Sequence, residues 1–507
     1  MCGFAGFLDL AQATADRAGV VGRMAATLIH RGPDDDGLWV DDEAGLALGF
    51  RRLAILDLSP QGHQPMVSAD GRWVIAFNGE IYNHRHLRGR LGPMVWRGHS
   101  DTEVLLETVA RLGVERALAQ LDGMFAIALW DRRERVLYLA RDRLGEKPLY
   151  WAECGGCVLF GSELKALAAH PRFDAALNRD ALAEFMRLGW IPAPHSIYGC
   201  ARKLEPGSVL VVKGEGRERR TYWSAAERAR EVAGSFSGGR AAAAERLNQL
   251  LRSSIALRMQ ADVPVGVFLS GGVDSSLIAA IMQELAPAPV HSFTVGFEVA
   301  GYDESPHARA IARHLGTRHT ELRITDDDAL ALVPRLPSLW DEPFADPAQL
   351  PTALLAQVTR REVTVALSGD GADELFGGYG IYRSLPRDWA ARRALPGWLR
   401  ALGRAGRLMP PGLLNGAAGL AGLAGRRRRS YPGYRLGRAL ENLETDDLAA
   451  MLGLHYSRWR GMPAPVPGAG RLATIYNETS PQPQPGDPAL RAMVLDARGY
   501  LPDDLCV

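Results

Sequence analysis

The chain has 507 residues, 47% hydrophobic and 23% charged, a composition ordinary for globular protein and a length that calls for two or three domains rather than one core. A formal net charge of +1 gives no global attraction to nucleic acid or to an anionic membrane. No basic segment followed by an apolar stretch opens the chain, and no apolar run reaches the roughly 18 residues of a membrane span, so neither a leader nor a transmembrane helix is expected and the cytoplasm is the default setting.

In chain order, residues 1 to about 212 read as a β-rich domain. Short apolar runs (Gly45 to Phe50, Trp73 to Phe77, Met124 to Trp130, Val136 to Ala140, Val209 to Val212) alternate with turn signals. A helix is predicted over Thr102 to Leu112, with Ser100 or Asp101 near its N-cap. Several short strands with few helices point to two packed sheets. The five cysteines, Cys2, Cys154, Cys157, Cys200 and Cys506, form no disulfide framework. Cys154 and Cys157 flank two glycines between strand-like runs, which predicts a hairpin turn with two incidental thiols rather than half a zinc site.

Residues 213–240, charged and then rich in Gly and Ser, read as a linker. The pattern then changes. A helix over Ala241 to Met259 leads to a strand, Val265 to Leu269, a glycine-rich turn and a second helix to about Leu285. A strand (Val290 to Phe297), a helix (Ser305 to Leu315) and a strand (Val363 to Leu367) with a second glycine-rich turn follow. Alternating strand and helix predict a doubly wound parallel sheet. Residues 385–475 look helical and broken, Arg426 to Arg429 reads as a solvated run, and 477–489 as a Pro-rich polar loop.

Two sets of residues carry chemistry. The chain begins Met-Cys-Gly-Phe-Ala-Gly. Removal of Met1 would leave Cys2 with an α-amine, of pKa roughly 8, able to take the thiol proton. Asn78 and Gly79, at a strand end, suit an oxyanion hole, although Asn-Gly is also a common hairpin turn. Arg52 suits a substrate carboxylate and Asp101 a substrate ammonium. In the second half, Ser270-Gly271-Gly272-Val273-Asp274-Ser275-Ser276 follows a strand and opens a helix, a context in which backbone N–H groups and the helix field hold phosphate. It lacks the lysine of a GxxxxGK[ST] loop and the spacing of GxGxxG.

MCGFAGF, HRGPDDDG, FRRLAILDLSPQGHQPM, FNGEIYNH, HSDTEVLL, DGMFAIALWD and ARDRLGEKPLYW together resemble the class II glutamine amidotransferases. The resemblance implies an N-terminal-nucleophile αββα sandwich with Cys2 as nucleophile and Asn78 and Gly79 as oxyanion hole. Arg52, Asn78, Glu80 and Asp101 would bind glutamine. SGGVDSS, HSFTVGF, DEPFADPAQLPTALLA and LSGDGADELFGGY resemble the N-type ATP pyrophosphatases. By that resemblance Ser270, Gly271, Gly272 and Ser275 hold pyrophosphate. Phe268, Val295, Ser368 and Gly369 lie at the nucleotide, and Asp274 and Asp373 bind Mg²⁺. Asp370 takes a catalytic position where several asparagine synthetases carry Glu.

Both halves, in order, resemble glutamine-hydrolysing asparagine synthetases. The implied substrates are glutamine, ATP and aspartate, joined through an acyl-adenylate. Relatives of this kind also amidate sugar or peptide carboxylates or close rings, and the acceptor pocket is not legible in these motifs. A chain that only hydrolyses glutamine or binds nucleotide is the other alternative. The resemblance leaves room for a homodimer. In the family a YLPDD segment like that at Tyr500 to Asp504 is followed by a basic stretch with a lysine serving the synthetase site, so a second domain over 241–507 with its C-terminal part missing is expected.

Overall fold

The computed structural model describes residues 2–298, 303–397, 413, 436–437, 440–443, 445, 447–459, 465–477 and 485–506. The arginine run 426–429, most of 385–475 beyond residue 397, and much of the loop at 477–489 lie outside the described residues.

Twelve strands build the first domain: β1 (Gly3–Asp9), β2 (Asp35–Asp41), β3 (Leu46–Arg52), β4 (Met66–Val67), β5 (Trp73–Ile81), β6 (Gly123–Asp131), β7 (Val136–Arg141), β8 (Tyr150–Cys154), β9 (Cys157–Gly161), β10 (Ala201–Lys203), β11 (Ser208–Lys213) and β12 (Gly216–Thr221). They form two six-stranded sheets, ordered β10-β8-β9-β1-β3-β2 and β12-β11-β7-β6-β5-β4. The side-chain period of two decides what each face meets. Phe4, Leu8, Leu48 and Phe50 of the first sheet pack with Val74, Ala76, Ala128 and Trp130 of the second. Ala5, Phe7 and Ala47 face the other way, onto Val20, Val21 and Met24 of helix Arg17–Ala26. Ile75, Phe77 and Ile127 likewise meet Val104, Leu105 and Val109 of helix Asp101–Leu112. The result is an αββα sandwich. Ala76 and Ala128 pair across β5 and β6 and are fully buried, so a branched residue at either would overpack the inter-sheet layer at a cost of about 1–3 kcal/mol.

Cys154 and Cys157 pair across the β8–β9 hairpin as free, buried thiols. The segment read as a linker holds β12, paired to β11 from Lys213–Gly216 to Ser208–Thr221, and helix Ala225–Val232. Gly-Arg-Glu-Arg-Arg-Thr reads as solvated because β12 is an edge strand with mostly exposed side chains, where charge blunts edge-to-edge association.

The second domain carries β13 (Val265–Phe268), β14 (His291–Phe297), β15 (Arg318–Ile324) and β16 (Val365–Leu367), all parallel, in the order β15-β14-β13-β16. From β13 the sheet grows one way to β14 and the other way to β16. The carboxyl ends of β13 and β16 therefore flank a topological switch point, where open α/β sheets bind ligands.

Two charge clusters join the domains. Glu163 takes Arg31 at 2.6 Å and Lys165 at 2.6 Å, and Lys165 reaches Asp341 of the second domain at 3.0 Å. Burial would raise the Glu163 carboxyl, but hydrogen bonds and charge from His30, Arg31 and Lys165 hold it well below the usual range. In the other cluster, buried Lys203 pairs with Glu342 at 2.9 Å and Asp503 at 3.6 Å and donates to the Ile191 carbonyl at 2.6 Å.

Candidate active sites

Cys2 lies at the head of β1, in the middle of its sheet. The Leu53 N–H donates to its Sγ at 3.3 Å, and Sγ donates to the Leu53 carbonyl at 3.5 Å. Burial raises the thiol pKa. Arg31 Nε donates to the Cys2 carbonyl at 3.0 Å, fixing the backbone that carries the sulfur.

One cavity gathers Cys2, Arg52, Asn78, Gly79, Glu80 and Asp101, every glutaminase-site residue expected from the sequence. Arg52 ends β3, and its guanidinium is aimed by the loop that follows, donating to the Ser59 carbonyl at 3.0 Å and to that of Asp57. Gly62 makes room for it, since a Cβ there would fall 1.8 Å from Nη2. Asn78, Gly79 and Glu80 lie in β5, where pairing with β6 fixes them at Ala126, Phe125 and Met124. Both side-chain polar atoms of Asn78, and Oε1 of Glu80, are buried without a partner. Asp101 is the first residue of its helix, whose N-cap Ser100 accepts from the Glu103 N–H. Its Oδ2 accepts from the Ile81 N–H at 2.8 Å.

Burial, with the Asp101 charge second, pushes the Glu80 carboxyl up to about 8. Burial likewise lifts Asp101 to about 6, against hydrogen bonds from Ile81 and Thr102. A buried guanidinium and two carboxylates line one cavity with unpartnered amide atoms, groups able to pair with a carboxylate, an ammonium and an oxyanion. Gln64, Thr102 and Lys147 also line the cavity. They lie inside segments that the sequence marked, but no chemistry singled them out. Burial lowers the Lys147 pKa against the charge of Glu146.

The second site forms at the switch point. Phe268, Ser270 and Val295 line a cavity with Phe293, Glu304 and Leu355. Gly271 (φ +88°) turns the chain beside it, and a Cβ there would meet the Ala308 nitrogen at 2.9 Å. Helix Val273–Leu285 starts immediately after Gly272, its N-cap. Ser275 Oγ lies 3.0 Å from Ser270 Oγ and accepts from the Ser270 N–H at 3.2 Å, closing the loop on itself. Across from it, the loop after β16 brings Gly369 so near that a Cβ would lie 3.3 Å from the Ser275 nitrogen and 3.4 Å from Asp274 Cβ. Asp370 accepts from the Ser368 hydroxyl at 2.7 Å. The Asp373 carboxyl is raised by burial and then by the Asp274 charge. No cluster of three or more His, Cys, Asp or Glu suited to a metal occurs among the described residues. Asp274 and Asp373 are the carboxylates at this site that could hold a cation.

A model of the glutamine amidotransferase domain matches residues 1–223, and one of asparagine synthase matches residues 246–507. The chain belongs to the asparagine synthetase family. Asparagine synthetase (glutamine-hydrolyzing) 1 of Bacillus subtilis (strain 168) is 39% identical over 389 residues, which are 76% of this chain and 60% of that protein. A relative from Methanocaldococcus jannaschii, also named as an asparagine synthetase (glutamine-hydrolyzing), is 34% identical over 424 residues, 80% of each. This member of the family thus spans between 60% and 80% of the length of these relatives. No helix among its described residues is long and apolar enough to cross a membrane.

Proposed function

We propose that the chain is a glutamine-hydrolysing asparagine synthetase. The observation that carries this reading is the convergence of Cys2, Arg52, Asn78, Gly79, Glu80 and Asp101 on one cavity in which the Asn78 amide is buried and unpartnered. A buried unsatisfied amide costs about 1–3 kcal/mol per group, and a bound reacting centre is what would satisfy it.

In this mechanism Arg52 grips the glutamine α-carboxylate, while Glu80 and Asp101 take its α-ammonium. With Met1 removed, the Cys2 α-amine accepts the thiol proton. Sγ then attacks the side-chain amide carbon, and the oxyanion is held by Asn78 Nδ2 and the Gly79 N–H. Collapse breaks the C–N bond as the Cys2 α-ammonium returns its proton to the leaving nitrogen, releasing ammonia, and water hydrolyses the thioester to glutamate. In the second domain the Ser270–Ser275 loop holds the pyrophosphate portion of ATP, and Phe268 and Val295 lie against the nucleoside. Asp274 and Asp373 would hold Mg²⁺, which would offset phosphate charge; the acceptor carboxylate attacks the α-phosphorus and pyrophosphate leaves. Asp370 stands beside Ser368 at the edge of this site. Ammonia displaces AMP from the acyl-adenylate, and aspartate is the acceptor in the simplest case. The five free thiols suit a reducing cytoplasm.

The test is mass spectrometry of products from glutamine, ATP, Mg²⁺ and aspartate, for wild type and Cys2→Ala, each with and without ammonium. Asparagine and AMP from wild type, with the variant active only on ammonium, are expected. Glutamate without AMP would sink the aspartate half of the reading, and no glutamate at all would sink the glutaminase half.

A further inference from the structure

Asp262 belongs to the second domain, between helix Arg240–Arg258 and β13, yet its contacts lie in the first. Its Oδ2 accepts from the Asp57 N–H at 2.8 Å and lies 2.8 Å from His99 Nε2. Its own N–H donates to the Ile55 carbonyl at 2.9 Å. Asp57 is a buried non-glycine residue at φ +58°, a conformation that persists only when its surroundings impose it. Its carboxylate accepts from the Ser59 N–H at 3.2 Å and the His99 N–H at 2.8 Å. The Asp57 carbonyl receives the Arg52 guanidinium. On the far side, His99 immediately precedes Ser100, the N-cap of the helix that begins with Asp101. One carboxylate of the second domain therefore touches two of the segments that present charge to the Cys2 cavity: the loop that aims Arg52 and the turn that sets Asp101.

We infer that Asp262 is a positioning residue for glutamine binding, supplied to the first domain's site by the second; this rests on the glutaminase reading of the Cys2 cavity. Asp262 touches none of the reacting atoms. It holds the left-handed turn at Asp57, and through that turn it fixes the direction of Arg52.

The experiment uses the full chain with Asp262→Ala and Asp262→Asn. It measures glutamate release against glutamine concentration, ammonium-dependent AMP release, and amide hydrogen exchange over residues 53–59. A lost positioning contact removes binding shared by ground and transition states, so Asp262→Ala raises the glutamine KM by about tenfold or more with kcat within about threefold. Asp262→Asn, which keeps an acceptor for the Asp57 N–H, recovers most of that loss. Ammonium-dependent turnover stays at the wild-type rate. In the exchange arm, the Asp57 amide loses protection in the Ala variant and keeps it in the Asn variant. An unchanged KM in Asp262→Ala, or a fall in both activities with KM unchanged, overturns the inference. If the wild type releases no glutamate, the glutaminase reading fails by itself and the exchange arm decides the positioning: unchanged protection at Asp57 overturns it, and loss of protection sustains it.

Discussion

Asn78→Ala is expected to move stability and activity in opposite directions. The side chain is 1% exposed, and neither Oδ1 nor Nδ2 has a partner. Truncation at a buried site ordinarily costs stability, because it removes contacts and leaves a void. Here the atoms removed are two polar groups whose desolvation is uncompensated, each worth about 1–3 kcal/mol. The deleted amide contains no methylene, and water entering the cavity partners part of it in the free protein. The net expectation is a gain of about 1 kcal/mol, which for a domain of this size is a rise of roughly 2–4 °C in its unfolding midpoint. Loss of an oxyanion donor meanwhile lowers kcat for glutamate release by about 10²–10³. Calorimetry and a coupled glutamate assay on the same preparation read both. A midpoint that falls by more than about 3 °C, or a kcat within tenfold of wild type, would refute the argument that the amide is kept for the transition state at the expense of the resting fold.

Glu80→Gln tests the electrostatics of the same cavity. Its folded pKa of about 8 lies above the ordinary carboxyl value of 4.5, so between those values the folded state binds more protons than the unfolded one and stability falls as pH rises. The variant should match wild type below about pH 4.5 and exceed it in urea midpoint above pH 8; parallel curves across that window would contradict the burial assigned to Glu80. Lys203→Met keeps the apolar stem but leaves Glu342 and Asp503 without their cation, and breaking a buried pair in this way costs about 3–5 kcal/mol. Limited proteolysis should then cut between the domains earlier in urea than for wild type, and an unchanged cleavage midpoint would show that the cluster contributes nothing.

The first domain was legible because its central strands are buried on both faces and its chemistry sits in them or directly beside them. Continuous apolar runs such as Trp73 to Phe77 are local signals, whereas Asn78-Gly79, read as a strand end, lies inside β5, because pairing with β6 carries that strand on to Ile81. β12 and β15 were missed for the opposite reason: Gly-Arg-Glu-Arg-Arg-Thr and Arg-His-Thr-Glu-Leu-Arg-Ile are half-exposed or edge strands, defined by pairing with β11 and β14 rather than by their own pattern. The cavity's principal residues were named from the sequence, but their partners were not. Asp57 and Asp262 act through contacts at separations that no local motif encodes, as in the 205-residue step from Asp57 to Asp262.

The two charge clusters between the domains also bear on ancestry and on engineering. A glutaminase half cut away at the connecting segment would keep Lys165 and Lys203 but lose Asp341, Glu342 and Asp503. Any synthetase that borrows such a half must bring acids to those same places. The seam thus carries a compatibility code: a chimera built by matching domain boundaries alone loses both charge clusters, while one that also transplants those acids keeps them.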